Sequence, residues 1–319
     1  MMHAIAYYRS STGEPTGESD NFRDALRPVR RLYGDRPACD FRQDELKAVR
    51  AAMVDSGLSR STINARVNRI RRAWKWAAAE KLVPTSTHQD LMTVDPLRKN
   101  RTAAKESRGV GPVPVEVVEA TLPHMPPAVA AMVRVQLLTG CRVGEVVAMR
   151  PRDVDRSCEP WEYRPASHKT DYREGDRSIA LGPKAQAVVG SFLRRSPDAP
   201  MFDPREAATR DVRPSYDRRT YAQAIYRDCD RAFPHPVISR IKRSRSVKLT
   251  EAQKRELAEW RKRHRWSPLQ LRHTAGTMVR REFGLEAAQA VLGHARADVT
   301  QVYAERLRET AREVARAVG

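Results

Sequence analysis

The run PAVAAMVRVQLLTG, from Pro127 to Gly140, is apolar on nearly every side and stops at a glycine. A helix without a polar face can only be buried, so other elements must wrap around it. Its neighbours are readable from period. Pro114 opens a helix carrying Val115, Val118, Ala120 and Leu122, and RVGEVVAM opens another that runs toward Pro151. Residues 161–181 change period: WEYRPASHKT and RSIALG alternate about a polar turn, which predicts an antiparallel β-hairpin. Lys184 to Arg194 returns to helix. The expected class is mainly α with a small antiparallel hairpin or sheet.

The N-terminal part is a second helical body. Residues 1–20 are polar and Gly/Ser-rich and are expected to be loosely held. Phe22, Leu26, Val29 and Leu32 then recur at helical spacing, with Pro28 expected to kink or break the run. Phe41, Leu46, Val49 and Met53 form a second run that stops at Ser56-Gly57. A third, capped by Ser61, carries Ile63, Val67, Ile70, Trp74, Ala77 and Leu82 on one face. Residues 94–112 lack periodicity and read as a charged linker. The division is thus a helical domain over 21–93, a linker over 94–112 and a larger domain over 113–319. Within the latter, 203–265 has the look of a basic insertion. It holds a helix near Tyr221–Phe233, the stretch SRIKRSRSVK, and a helix opened by Thr250 with Gln253 three residues on.

The net charge of +20 and a pI near 10.4 imply a polyanionic partner, most simply double-stranded DNA, bound through counterion release from phosphates. Arg60, Arg66, Arg69, Arg71, Arg72 and Lys75 crowd the third helix with no acid between Arg60 and Ala79, so that helix is expected to contact phosphate. The four cysteines show no C-x-x-C spacing, which argues against a zinc site or disulfide framework and for a reducing cytoplasm. No segment has membrane-spanning length or a signal-peptide core.

Four fragments carry chemistry: Arg142 in TGCRVGE, Arg272 in LRHT, His294 in LGH and Tyr303 in QVYAE. Cutting a phosphodiester through a side chain needs a nucleophile, fixed cations for the charge that builds on phosphoryl oxygens, and an acid for the leaving oxygen. Tyr303 can attack phosphorus. Arg142, at a helix start with Glu145 one turn on to anchor it, can fork onto two oxygens, and Arg272 is a second clamp. His294 can donate to a non-bridging oxygen or hold Tyr303. Lys169 in the hairpin can protonate the departing 5′ oxygen, with Lys184 as a competitor. No metal or other cofactor is called for.

These fragments, in this order, resemble the tyrosine recombinases, the phage-integrase family, from about residue 20 to the end of the chain. The resemblance implies a helical core-binding domain, a mixed α+β catalytic domain and a 3′-phosphotyrosine intermediate in site-specific DNA integration or recombination. It also implies the catalytic use of a hairpin lysine and a homotetramer on two DNA sites, with accessory DNA-bending factors possible partners. The chain departs from the pattern at one place. The second motif usually reads His-x-x-Arg, and here its first position is Leu269, with Gln270, His273 and His264 as substitutes to consider. Rivals are a resolvase or type IB topoisomerase using the same chemistry, and a DNA-binding protein that has lost catalysis. After Tyr303, Leu307, Ala311, Val314 and Val318 fall at helical spacing, a tail expected to dock on its own domain or on a neighbouring protomer.

Overall fold

A computed structural model describes residues 17–107, 109–166, 177–193, 196–207, 213–241 and 249–293. The chain divides into two compact units at Gly109/Val110.

The first unit holds α1 (Glu18–Tyr33), α2 (Gln43–Asp55), α3 (Arg60–Ala79) and α4 (Thr85–Met92). Their apolar faces meet in one core. Ala25, Leu46, Val49, Ile63, Ile70 and Leu91 are buried there, and Phe41 lies 4.6 Å from the Trp74 ring. The Trp74 indole N–H donates to the Ala38 carbonyl at 2.9 Å, which satisfies the polar end of a buried ring. Helix α1 continues unbroken through Pro28. Phe22 and Ala25 before the proline and Val29 after it are all buried, and that burial outweighs the one backbone bond the proline removes.

Three local expectations change. The cap of α3 is Ser59 rather than Ser61, its hydroxyl accepting from the Thr62 N–H at 3.3 Å. Leu82 lies past the end of α3 and is exposed. The stretch expected to be a free linker is folded as far as Ser107. Val94 and Ala104 enter the core, Asn64 bonds both the N–H and C=O of Leu97, and the Arg60 N–H donates to the Lys105 carbonyl. Without helical or strand period, these backbone groups find side-chain partners, which sequence pattern does not reveal.

In the second unit α5 (Val115–Thr121) leads to α6 (Pro127–Thr139), the apolar helix, with nine buried residues. It packs against α7 (Val143–Ala148), α8 (Pro183–Gly190) and α12 (Pro268–Leu292). The expected hairpin is present but short. β2 (Trp161–Tyr163) pairs antiparallel with β3 (Ile179–Leu181), and β1 (Val154–Asp155) adds a third strand on the other side of β2. Tyr163 is wholly buried and its hydroxyl donates to the Glu145 carbonyl at 2.7 Å, tying sheet to α7. Within the 203–265 segment lie α9 (Arg218–Ala232), α10 (Ile238–Ile241) and α11 (Glu251–His264). The Thr250–Gln253 capping pair forms as expected, with bonds of 3.3 and 3.0 Å. None of the described helices is long and apolar enough to cross a membrane.

Helix α6 ends as its sequence indicates. Gly140 takes φ +64°, and its N–H bonds back to the Gln136 carbonyl. An added Cβ there would sit 2.9 Å from Leu292 Cδ2. Gly140→Ala is therefore expected to cost about 1–2 kcal/mol from the left-handed backbone alone. A thermal midpoint unchanged from the wild type would show that the turn can adopt another conformation.

Candidate active site

The site grows from the turn that ends α6. Gln136 donates to the Cys141 carbonyl at 3.1 Å, and the Cys141 N–H reaches Thr139 Oγ1 at 3.3 Å. Burial pushes the Cys141 thiol up to about 12, so it is no nucleophile. The next residue, Arg142, stands immediately before α7. Glu145, 3% exposed, accepts from the Arg142 backbone N–H at 2.6 Å and from its Nη1 at 3.0 Å. The i,i+3 anchor expected from the sequence is thus present.

Arg272 arrives from α12 and is buried. Its Nη1 donates to the Gly140 carbonyl at 2.7 Å and its Nη2 to the Leu292 carbonyl at 2.6 Å. Both carbonyls lie at helix C-termini, where unpaired acceptors and the helix dipole favour a cation. Gly293 follows with φ +59°, and its carbonyl lies 3.5 Å from Arg142 Nη2. Arg142 and Arg272, remote in sequence, therefore meet at the turn that leads directly into His294. His294, Tyr303 and Lys169 lie outside the described residues, as does the tail after Tyr303.

Two arginines near this turn were not anticipated. Arg177, 7% exposed, places Nε 3.5 Å from Glu145 Oε1, and a Cβ on Gly293 would fall 1.9 Å from its Nη1. Its signal was available. In RSIALG, residues 177, 179 and 181 fall at period 2, and Ile179 and Leu181 are buried in β3, so Arg177 falls in step with the inward row just ahead of the strand. Arg218, at the start of α9, lies against Gly144, whose absent side chain leaves room for the guanidinium.

At the departure from the usual motif, Leu269 is 45% exposed. Gln270 is engaged at the helix start, where its Oε1 accepts from the Ser267 N–H at 2.9 Å. His264 stacks on Trp260 with 3.9 Å between centroids. His273 is partly buried, and burial, reinforced by Arg272, lowers its pKa.

The basic helix α3 is less bare than its sequence. Arg69 and Arg72 both bond Glu18, Arg66 pairs with Asp24, and Arg60 with Glu106 at 2.7 Å. Acids absent from the helix itself reach it from distant segments. Burial of Glu18 works to raise its pKa, but hydrogen bonds led by Arg69 hold it below the usual carboxylate range. Arg71 donates to the Leu91 and Val94 carbonyls, and Lys75 is exposed. Arg71→Ala is expected to lower first-unit stability by about 1.5–3 kcal/mol, the scale of charged hydrogen bonds. Lys75→Ala should leave the thermal midpoint unchanged, and equal midpoints for both variants would remove Arg71 from the architecture.

The fold is that of the tyrosine recombinases. A λ integrase (75–356) dimer bound to a COC′ core site superposes with a TM-score of 0.63, at 14% identity over 92% of this chain and 90% of that one. The Tn1549 transposon integrase in complex with circular intermediate DNA gives 0.59, at 16% identity over 90% and 89%. A λ integrase tetramer bound to a Holliday junction gives 0.60, at 15% identity over 91% and 73%. No protein-family model and no curated protein matches the sequence.

Proposed function

We propose that the chain is a site-specific DNA recombinase that cuts and rejoins duplex DNA through Tyr303. The observation that carries this reading is the convergence of Arg142 and Arg272 on the Gly140 and Leu292–Gly293 turns, the second of which immediately precedes His294 in the sequence. The Tyr303 oxygen attacks phosphorus as its phenolic proton passes to solvent, and the bond to the 5′ oxygen breaks. Lys169 gives that oxygen its proton, and a 3′-phosphotyrosine remains. Arg142 and His294 face the non-bridging oxygens, while Arg272 holds the turn and adds charge beside it. A second DNA hydroxyl then reverses the attack without ATP, because the phosphotyrosine ester keeps the bond energy. Exposed cations such as Lys75 supply sequence-independent phosphate contacts. Assembly as a tetramer on two DNA sites completes the reading, and the λ tetramer on a Holliday junction supports it.

The test uses a pool of labelled, nicked duplexes of randomised sequence, incubated with the full chain in EDTA and resolved after detergent denaturation. A covalent protein–DNA band is expected. Strict Mg²⁺ dependence of cleavage would point to a carboxylate–metal nuclease. Binding without any adduct favours the second reading, a DNA-binding protein that has lost catalysis, for which the apolar Leu269 is the motivating observation.

A further inference from the structure

Arg177 is a buried cation with unused donors. Its Nε and Nη2 are inaccessible to solvent and have no hydrogen-bond partner. The carboxylate nearest to it, Glu145, already accepts two bonds from Arg142, and at 3.5 Å it forms an ion pair with Arg177 without hydrogen-bond geometry. A guanidinium stripped of water and left with unpaired N–H groups is costly unless something else supplies acceptors. Arg177 Nη1 packs on Gly293, the residue whose carbonyl faces Arg142 and whose predecessor is bonded by Arg272. The Cys141 thiol feels both Arg272 and Arg177. Three guanidiniums thus surround one short turn.

We propose that Arg177 is the third member of a phosphate-binding site formed with Arg142 and Arg272, and that it bonds a non-bridging oxygen of a DNA phosphodiester. A tetrahedral phosphate offers several acceptors at once, which matches a guanidinium with more than one unpartnered N–H. The site would replace, with a fixed charge, a donor that Leu269 cannot provide. Besides the left-handed backbone at Gly293, a side chain there would displace the Arg177 guanidinium. That the bound phosphate is the one cut rests on the recombinase reading above.

Two measurements test it, each with Arg177→Gln and Arg177→Met. The first is the thermal midpoint in inorganic phosphate against chloride at equal ionic strength, with Lys262→Gln, at an exposed lysine, as a control for general surface charge. The wild type and the control should be raised by phosphate. Both Arg177 variants should lose that rise yet be at least as stable as the wild type in chloride. The second is adduct formation on ordinary nicked DNA and on DNA whose scissile phosphate is a neutral methylphosphonate. Arg177→Gln should be slower by about a hundredfold or more on the first, the scale of one lost transition-state donor. Most of that gap should close on the second. An unchanged phosphate response, or equal defects on both substrates, overturns the proposal. If the wild type forms no adduct at all, the recombinase reading falls and the phosphate response alone decides Arg177.

Discussion

Tyr303→Phe is expected to bind DNA as the wild type does and to form no covalent adduct. The change removes one oxygen and alters no charge at neutral pH, since a phenol has a pKa of about 10. Two other tyrosines of the second unit offer no ready replacement. Tyr163 is wholly buried with its hydroxyl committed to the Glu145 carbonyl, and burial raises its pKa. Tyr221 is buried as well, and its pKa is raised for the same reason. A phenol that cannot meet DNA or lose its proton cannot attack phosphorus. The assay is the detergent-resistant band on nicked duplex, run beside a binding titration. Adduct formation by the Phe variant at the wild-type rate would remove Tyr303 from the mechanism.

Arg272→Ala is expected to fail twice. It removes charge from the site, which by analogy with loss of one oxyanion donor costs about 2.7–4 kcal/mol in the transition state, a hundredfold or more in rate. It also strips donors from the Gly140 and Leu292 carbonyls. Each buried acceptor left without a partner costs about 1–3 kcal/mol. Arg272→Lys keeps the charge but cannot fork onto two carbonyls, so it should recover part of the rate and little of the thermal midpoint. Single-turnover cleavage and thermal unfolding measured on both variants separate the two losses. Weakened binding with unchanged single-turnover cleavage would make Arg272 a docking residue.

Much of this was legible in the sequence because it is local. The all-apolar α6 could only be a core helix, Gly140 marked its end, and the Arg142–Glu145 spacing stated its own ion pair. What escaped depends on groups that meet only in the fold. The arginines of α3 read as a bare cationic face because Glu18, Asp24 and Glu106 come from other segments. Residues 94–107 read as a tether because bonds such as Asn64 to Leu97 leave no periodic trace. Arg177 is hidden for a different reason: period 2 marks the strand by its apolar residues, and an arginine in step with Ile179 and Leu181 leaves no mark of its own in that pattern.

The pair of hydrogen bonds from Arg272 to the Gly140 and Leu292 carbonyls bears on how tightly an anion can be held. An arginine that swings freely gives up as much as about 2 kcal/mol of rotamer entropy when a ligand captures it. Arg272 has given up that freedom on folding, and Arg142, drawn to Glu145, has surrendered part of its own. An anion arriving at the turn meets cations already standing in place, so less of its attraction is spent on ordering the protein. The disorder lost by these side chains is charged against the stability of the second unit, where thermal unfolding can measure it, and not against the capture of an anion.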